Sequence, residues 1–178
     1  MWLAQMRGAL RGERDSDVPC DGCTACCRSS QFVHIGLDET DTLARIPSEL
    51  LFPAPYMPDH VVLGYDERGH CPMLVDDGCT IYAHRPHACR VYDCRVLPAA
   101  GLTLDDEDKA AVSARVSRWR FSHPTESDAR DHEAVRAAAT ALENMDIPVM
   151  RRAVLAVELH DLGPDAVRVE VRKRISTR

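Results

Sequence analysis

Hydrophobic and polar positions follow two textures along this chain, and the change falls near residue 95. Beyond it, apolar residues recur at three- and four-residue steps, the spacing of helices buried on one side. Val112, Val116 and Trp119 mark one such stripe, which Thr103 and Asp106 open as a capping box and His123-Pro124 ends. Val135, Ala138, Leu142 and Met145 mark a second helix starting near Thr125, and Pro148 opens a third that ends at Gly163. The tail from Ala166 to Ile175 alternates Val167, Val169 and Val171 with charged residues and reads as a strand.

The first half is patterned in shorter pieces. Trp2, Met6 and Leu10 fall about one helical turn apart, the spacing of a docking helix or a frayed tail. Gln31 to Gly36 reads as a short strand, and Asp38 caps a helix running through Leu50 with Leu43, Ile46 and Leu50 as its stripe. Prolines 53, 55 and 58 enforce a loop; His60 to Tyr65 predicts another strand, followed by a turn at 66–69. Pro86 suits the start of a short helix over 86 to about 92. The expectation is one helix-rich α+β domain spanning 1–178, its cysteine-bearing region at 18–95 and a helical C-terminal extension at 96–178. No internal repeat is visible.

The chain has 178 residues, 28% of them charged and 5% aromatic, which excludes collagen-like, low-complexity and polytopic membrane classes. A net charge of −6 argues against a nucleic-acid partner, whose phosphates favour a basic face. The acid excess is local: 8 basic and 14 acidic residues lie in positions 1–94, against 14 and 14 from position 95 onward. The first 17 residues lack an unbroken apolar run of signal-peptide length, and no stretch elsewhere is long and apolar enough to span a bilayer. A cytoplasmic location without membrane attachment is expected. In that reducing compartment, clustered thiols serve as metal ligands or redox centres more often than as disulfides.

All eight cysteines lie between positions 20 and 94. Cys20, Cys23, Cys26 and Cys27 form a CxxCxxCC run entered from Pro19, and Cys71, Cys79, Cys89 and Cys94 form a second set. On a helix the first four would share one face; in a knuckle, the two-residue spacing turns backbone N–H groups toward sulfur. In either geometry, thiolates this close repel one another unless a cation holds them. Adjacent side chains diverge, so Cys26 and Cys27 are expected to have different roles. The spacing departs from a bacterial ferredoxin loop, because the fourth cysteine follows the third directly and no proline follows it. Eight thiols can fill two Cys₄ zinc sites, one iron–sulfur cluster with spare thiols, or one zinc site with a redox pair.

Several short motifs follow in order: Cys71-Pro-Met-Leu, Gly78-Cys79-Thr-Ile-Tyr82 and Arg85-Pro86-His-Ala-Cys89-Arg90-Val-Tyr92-Asp-Cys94. With CxxCxxCC ahead of them, the set resembles the YkgJ family, described as the CxxCxxCC Putative zinc- or iron-chelating domain; a related cysteine pattern occurs in flagellin lysine methylases. The resemblance implies a zinc or iron centre with all eight cysteines as candidate metal ligands, and it brings no catalytic residue. Arg85, Pro86 and Arg90 belong to the family's RPxxCR signature. Chemically, Arg85 and Arg90 suit the offsetting of thiolate charge, and Tyr82 and Tyr92 suit shielding an ion from water. His70, His84 and His87 are candidates to replace one thiol, with a surface or outer-sphere place as the default. Glycine-rich nucleotide loops, HExxH and GxSxG are absent from the sequence. The leading expectation is a zinc (or iron) protein with a structural or partner-binding role. An iron–sulfur oxidoreductase or electron carrier is the alternative, and a thiol redox sensor the next.

Overall fold

A computed structural model describes residues 2–176. Helix α1 (Trp2–Leu10) buries Leu3, Met6 and Ala9 on one face. Arg7 fastens it to the C-terminal helices by donating to the Glu158 carbonyl at 3.2 Å and pairing with Asp161 at 3.3 Å. The docking-helix expectation therefore holds. After a single 3₁₀ turn at Cys26–Arg28, strand β1 (Val33–Gly36) leads to a short helix α2 (Thr40–Leu43). Strands β2 (Leu51–Pro53) and β3 (His60–Leu63) complete an antiparallel sheet of order β1-β3-β2, with Ile35 opposite Val61 and Leu51 opposite Leu63. A two-residue hairpin, β4 (Leu74–Val75) with β5 (Gly78–Cys79), sets Leu74 opposite Cys79.

Helices α3 (His87–Val91), α4 (Val96–Ala99), α5 (Ala110–Val116), α6 (Glu126–Ala141), α7 (Val149–Leu159) and α8 (Pro164–Ser176) follow. The architecture is α+β and helix-rich. Helix α6 starts at a capping box: the Asp128 N–H donates to Thr125 Oγ1 at 3.2 Å and the Thr125 N–H donates to Asp128 Oδ2 at 3.0 Å. Gly163, at φ +76°, takes the left-handed conformation that lets the chain turn from α7 into α8.

Two hydrophobic cores result. The larger joins α1 and α4 to α8 through Met6, Leu97, Val112, Leu142, Val157 and neighbours. The smaller lies under the sheet and hairpin, around Ile35, Ile46, Leu63, Met73 and Ile81. The first half thus owns a core, though a small one.

Several elements depart from the sequence pattern. The tail is helix α8, not a strand: Val167 and Val171, four residues apart, are both fully buried, while Val169 between them is 55% exposed. Alternation placed all three valines on one face, but only the helical pair meets the core. The helix expected from Asp38 to Leu50 is broken, because Pro47 lacks the N–H a helix would use; α2 stops early and Ser48–Leu50 is a 3₁₀ turn. Ile46 is still buried, with Leu43 and Leu50 packed beside it. Thr103 and Asp106 do not form a capping box. Helix α5 starts at Ala110 behind a 3₁₀ turn without a side-chain cap, and ends at Val116, before His123-Pro124.

Candidate metal centre

The CxxCxxCC run folds as a knuckle, not as a helix. The Cys23 N–H donates to the Cys20 carbonyl at 2.9 Å, and only Cys26–Arg28 form a 3₁₀ turn. This turn is held from both sides. Ser29 Oγ donates back to the Ala25 carbonyl at 2.7 Å, and Lys109 Nζ, ahead of α5, donates to the carbonyls of Ser29 and Ser30 at 2.7 and 3.0 Å. A cation at the end of the turn meets carbonyls left without intrahelical partners.

The second cysteine stretch is stitched directly to the first. The Cys71 N–H donates to the Cys27 carbonyl at 2.7 Å, and the Ser30 N–H donates to the Gly69 carbonyl at 2.9 Å. Gly69 adopts φ +75°, and a Cβ there would collide with the Ser30 hydroxyl, so glycine is what permits this approach. Cys79 comes from the hairpin, Cys89 from α3, and Cys94 from the turn that leads into α4.

All eight cysteines are free thiols and all eight line one cavity of about 240 Å³. Its wall also includes Tyr82, Tyr92, Arg85 and, from α5, Val112 and Arg115. Tyr82 and Tyr92 thus lie on the wall of the cavity that the cysteines share. Among the described residues, no three His, Cys, Asp or Glu side chains stand together tightly enough to hold an ion as they are. Closing sulfurs to about 2.3 Å from zinc requires cysteine side chains to swing into the cavity.

Burial raises the pKa of the Cys20, Cys26, Cys27, Cys71, Cys89 and Cys94 thiols and so favours their neutral form over an uncompensated thiolate. Burial, then the nearby Cys71 and Cys79, push the Cys27 thiol up to about 12. Burial, followed by Cys27, Cys71 and Cys79, raises Cys89 to about 12 as well. Burial and repulsion from Cys94 and Cys20 raise Cys26 further. Arg85 opposes the rise at Cys20 and Cys89, and Arg115 opposes it at Cys20 and Cys94. The Nε atoms of both arginines are buried without a hydrogen-bond partner. Arg85 stacks its guanidinium 4.2 Å from the Tyr82 ring centre, and Arg115 lies 4.8 Å from that of Trp119. Trp119 Nε1 in turn donates to Cys94 Sγ at 3.3 Å.

Of the flanking residues singled out from sequence, Arg90 faces elsewhere. It pairs with Asp15 at 3.4 Å and donates to the Arg85 carbonyl, so it steadies the chain carrying Arg85. None of His70, His84 and His87 is among the cavity-lining residues. His84 Nδ1 engages Asp41, and His87 Nε2 lies against Gly12.

Two contributors escaped the sequence reading. Arg115 sits one helical turn after Val112 on α5, and that i, i+3 spacing was the available signal. The other is Asp93, fully buried between Tyr92 and Cys94. Its Oδ1 accepts from Arg95 N at 3.0 Å and Nε at 2.9 Å, and its Oδ2 from Arg95 Nη2 at 2.6 Å. Arg95 also reaches Asp17, three residues before Cys20, so this triad ties the two ends of the cysteine region together.

Soft thiolates in this number suit zinc, copper(I) or iron–sulfur centres, so the donor set fits a thiophilic metal. Fold and site together define a small cysteine-rich domain of metal-chelating type, backed by a helical layer. The chain belongs to the CxxCxxCC family, Putative zinc- or iron-chelating domain, whose model matches residues 19–115. The match runs past the cysteines into α5 and takes in Arg115. Family membership supports metal binding and names zinc and iron alike. No curated protein and no solved structure matches the chain significantly. Among the described residues, no helix is long and apolar enough to cross a membrane.

Proposed function

We propose that this protein binds zinc through its cysteines in closed structural coordination, and that the metal-bound half serves as a scaffold for a protein partner. The observation that carries the reading is the convergence of eight free thiols, from two separated stretches, on one cavity. Zinc is favoured over an iron–sulfur centre because the CxxCxxCC run, with two adjacent cysteines and no following proline, lacks ferredoxin spacing. An ion held by four thiolates has no open position for substrate; what it supplies is folding energy and not catalysis. The chain's own residues do the rest. Tyr82 and Tyr92 exclude water, Arg85 and Arg115 offset thiolate charge, and Gly69 and Lys109 hold the knuckle in place.

The small sheet core supports this role. Five buried apolar side chains around Ile35 and Leu63 are a modest nucleus for the strands, turns and loops between Ser29 and Val91. A bound ion, worth an apparent ~10–16 kcal/mol in zinc-finger peptides, supplies what that core does not. The test is elemental analysis of protein purified without oxygen, combined with a visible spectrum. Colourless protein containing zinc is expected. A broad visible absorption that bleaches on reduction would replace zinc by an iron–sulfur centre, and absence of both metals would overturn the reading.

A further inference from the structure

We propose that the cavity takes two zinc-type ions in separate four-thiolate shells, one formed by Cys20, Cys23, Cys26 and Cys94 and the other by Cys27, Cys71, Cys79 and Cys89. The proposal rests on the metal-binding reading above and adds the number of sites and the assignment of each thiol.

The division is visible first in packing. Cys20, Cys26 and Cys94 pack against the helical core, whereas Cys71 and Cys79 pack against the sheet core. The cavity lies where the two cores meet. Cys26 and Cys27 are the point of divergence: residues adjacent on a 3₁₀ turn project about 120° apart, so one ion does not readily take both. Cys26 goes to the helical side. Cys27 is bound by backbone to the other side, since its carbonyl accepts from the Cys71 N–H at 2.7 Å. Cys23 is turned back onto Cys20 by its own N–H bond, which keeps it with the first set.

Helix α3, which carries Cys89, packs on strand β1 of the sheet, and its first residue is tied to the segment after that strand, the His87 N–H donating to Glu39 Oε2 at 2.6 Å; Cys89 therefore belongs to the sheet-side set.

The test compares zinc content, per chain, of the full-length protein and paired cysteine variants. Native protein should hold two zinc ions. Cys26→Ser with Cys94→Ser, both from one set, should leave one ion; Cys94→Ser with Cys79→Ser, one from each set, should leave none. Equal losses for the two pairs would overturn the division. A measurement without variants guards against misfolding: titrating native protein with a mercurial thiol reagent, while a chromophoric chelator reports freed zinc, should release two ions over eight thiols. One zinc ion per native chain, or one iron–sulfur chromophore, overturns the two-site proposal and leaves metal binding intact. Protein with neither zinc nor iron overturns the reading beneath it as well.

Discussion

Replacing Asp93 by alanine should be among the most damaging single changes near the site, although this residue is not a candidate ligand. Its carboxylate is fully buried and accepts three hydrogen bonds from Arg95, with a fourth from Ser16 Oγ at 3.3 Å. The Arg95 side chain is only 10% exposed. Burial alone would lower the Arg95 pKa; its bonds and charge contacts with Asp93, then Asp17, outweigh that and hold the guanidinium firmly charged. Removing one partner from a buried pair costs about 3–5 kcal/mol, because the remaining charge is left uncompensated. Asp17, itself about half exposed, still reaches Arg95, so the expected loss is at the lower end, about 3 kcal/mol. At a urea slope of roughly 1–3 kcal/mol per molar, the midpoint should fall by about 1–3 M. The control is Glu126→Ala, which breaks a solvent-exposed pair with Arg130 and should cost no more than about 0.5 kcal/mol. Urea unfolding followed by circular dichroism at saturating zinc provides the comparison. Exchanging both buried partners, Asp93→Leu with Arg95→Met, should recover part of the loss. A midpoint for Asp93→Ala equal to that of Glu126→Ala would refute the reasoning.

Other expectations are simpler. Thr125→Ala removes one arm of the α6 capping box and should cost about 1 kcal/mol, measured as a lowered unfolding midpoint with zinc content unchanged. Chelation of zinc should open the cysteine region to protease while most helical dichroism persists, because the helical core is built from its own apolar side chains; equal cleavage rates with and without chelator would argue against metal dependence. His132 is buried, with Nε2 against the Ala99 carbonyl at 3.1 Å and Nδ1 against His123 Nε2 at 2.7 Å. Burial, then Arg136 and His123, hold its pKa below the ordinary 6.5. The unfolded chain therefore takes up this proton first, so stability should decline as pH falls through about 6.5 and on toward the lower folded-state value. His132→Gln should flatten that decline, and an unchanged pH profile would count against it.

The periodicity of the second half identified α6, since Val135, Ala138 and Leu142 repeat at the helical step and all are buried, while Pro148 and Gly163 marked the segment that holds α7. It failed at α8, where a period of two and a period of four coincide on Val167 and Val171 and only the neighbouring helices choose between them. The strands at β1 and β3 and the short α3 were legible from β-branched runs and from Pro86. The break of the expected helix near Pro47 was legible too, but the apolar stripe outweighed the proline in the reading. Capping was assigned to Thr103 and found at Thr125, because a Thr-x-x-Asp spacing states what a cap requires and not whether a helix begins there.

The eight cysteines, their two groupings and the adjacency of Cys26 and Cys27 stand in the order of residues, and that order is enough to point to a thiophilic metal. Which sulfurs become neighbours does not stand there. It depends on the Cys27–Cys71 backbone bond, on the close approach that Gly69 allows, and on two cores meeting at the cavity. Arg115 and the Asp17–Asp93–Arg95 triad likewise acquire their roles only through contacts between residues far apart in the chain. Local spacing fixes the donor atoms a segment offers; long-range packing fixes which of them share a wall, because that is settled by how the two cores bury their apolar surface.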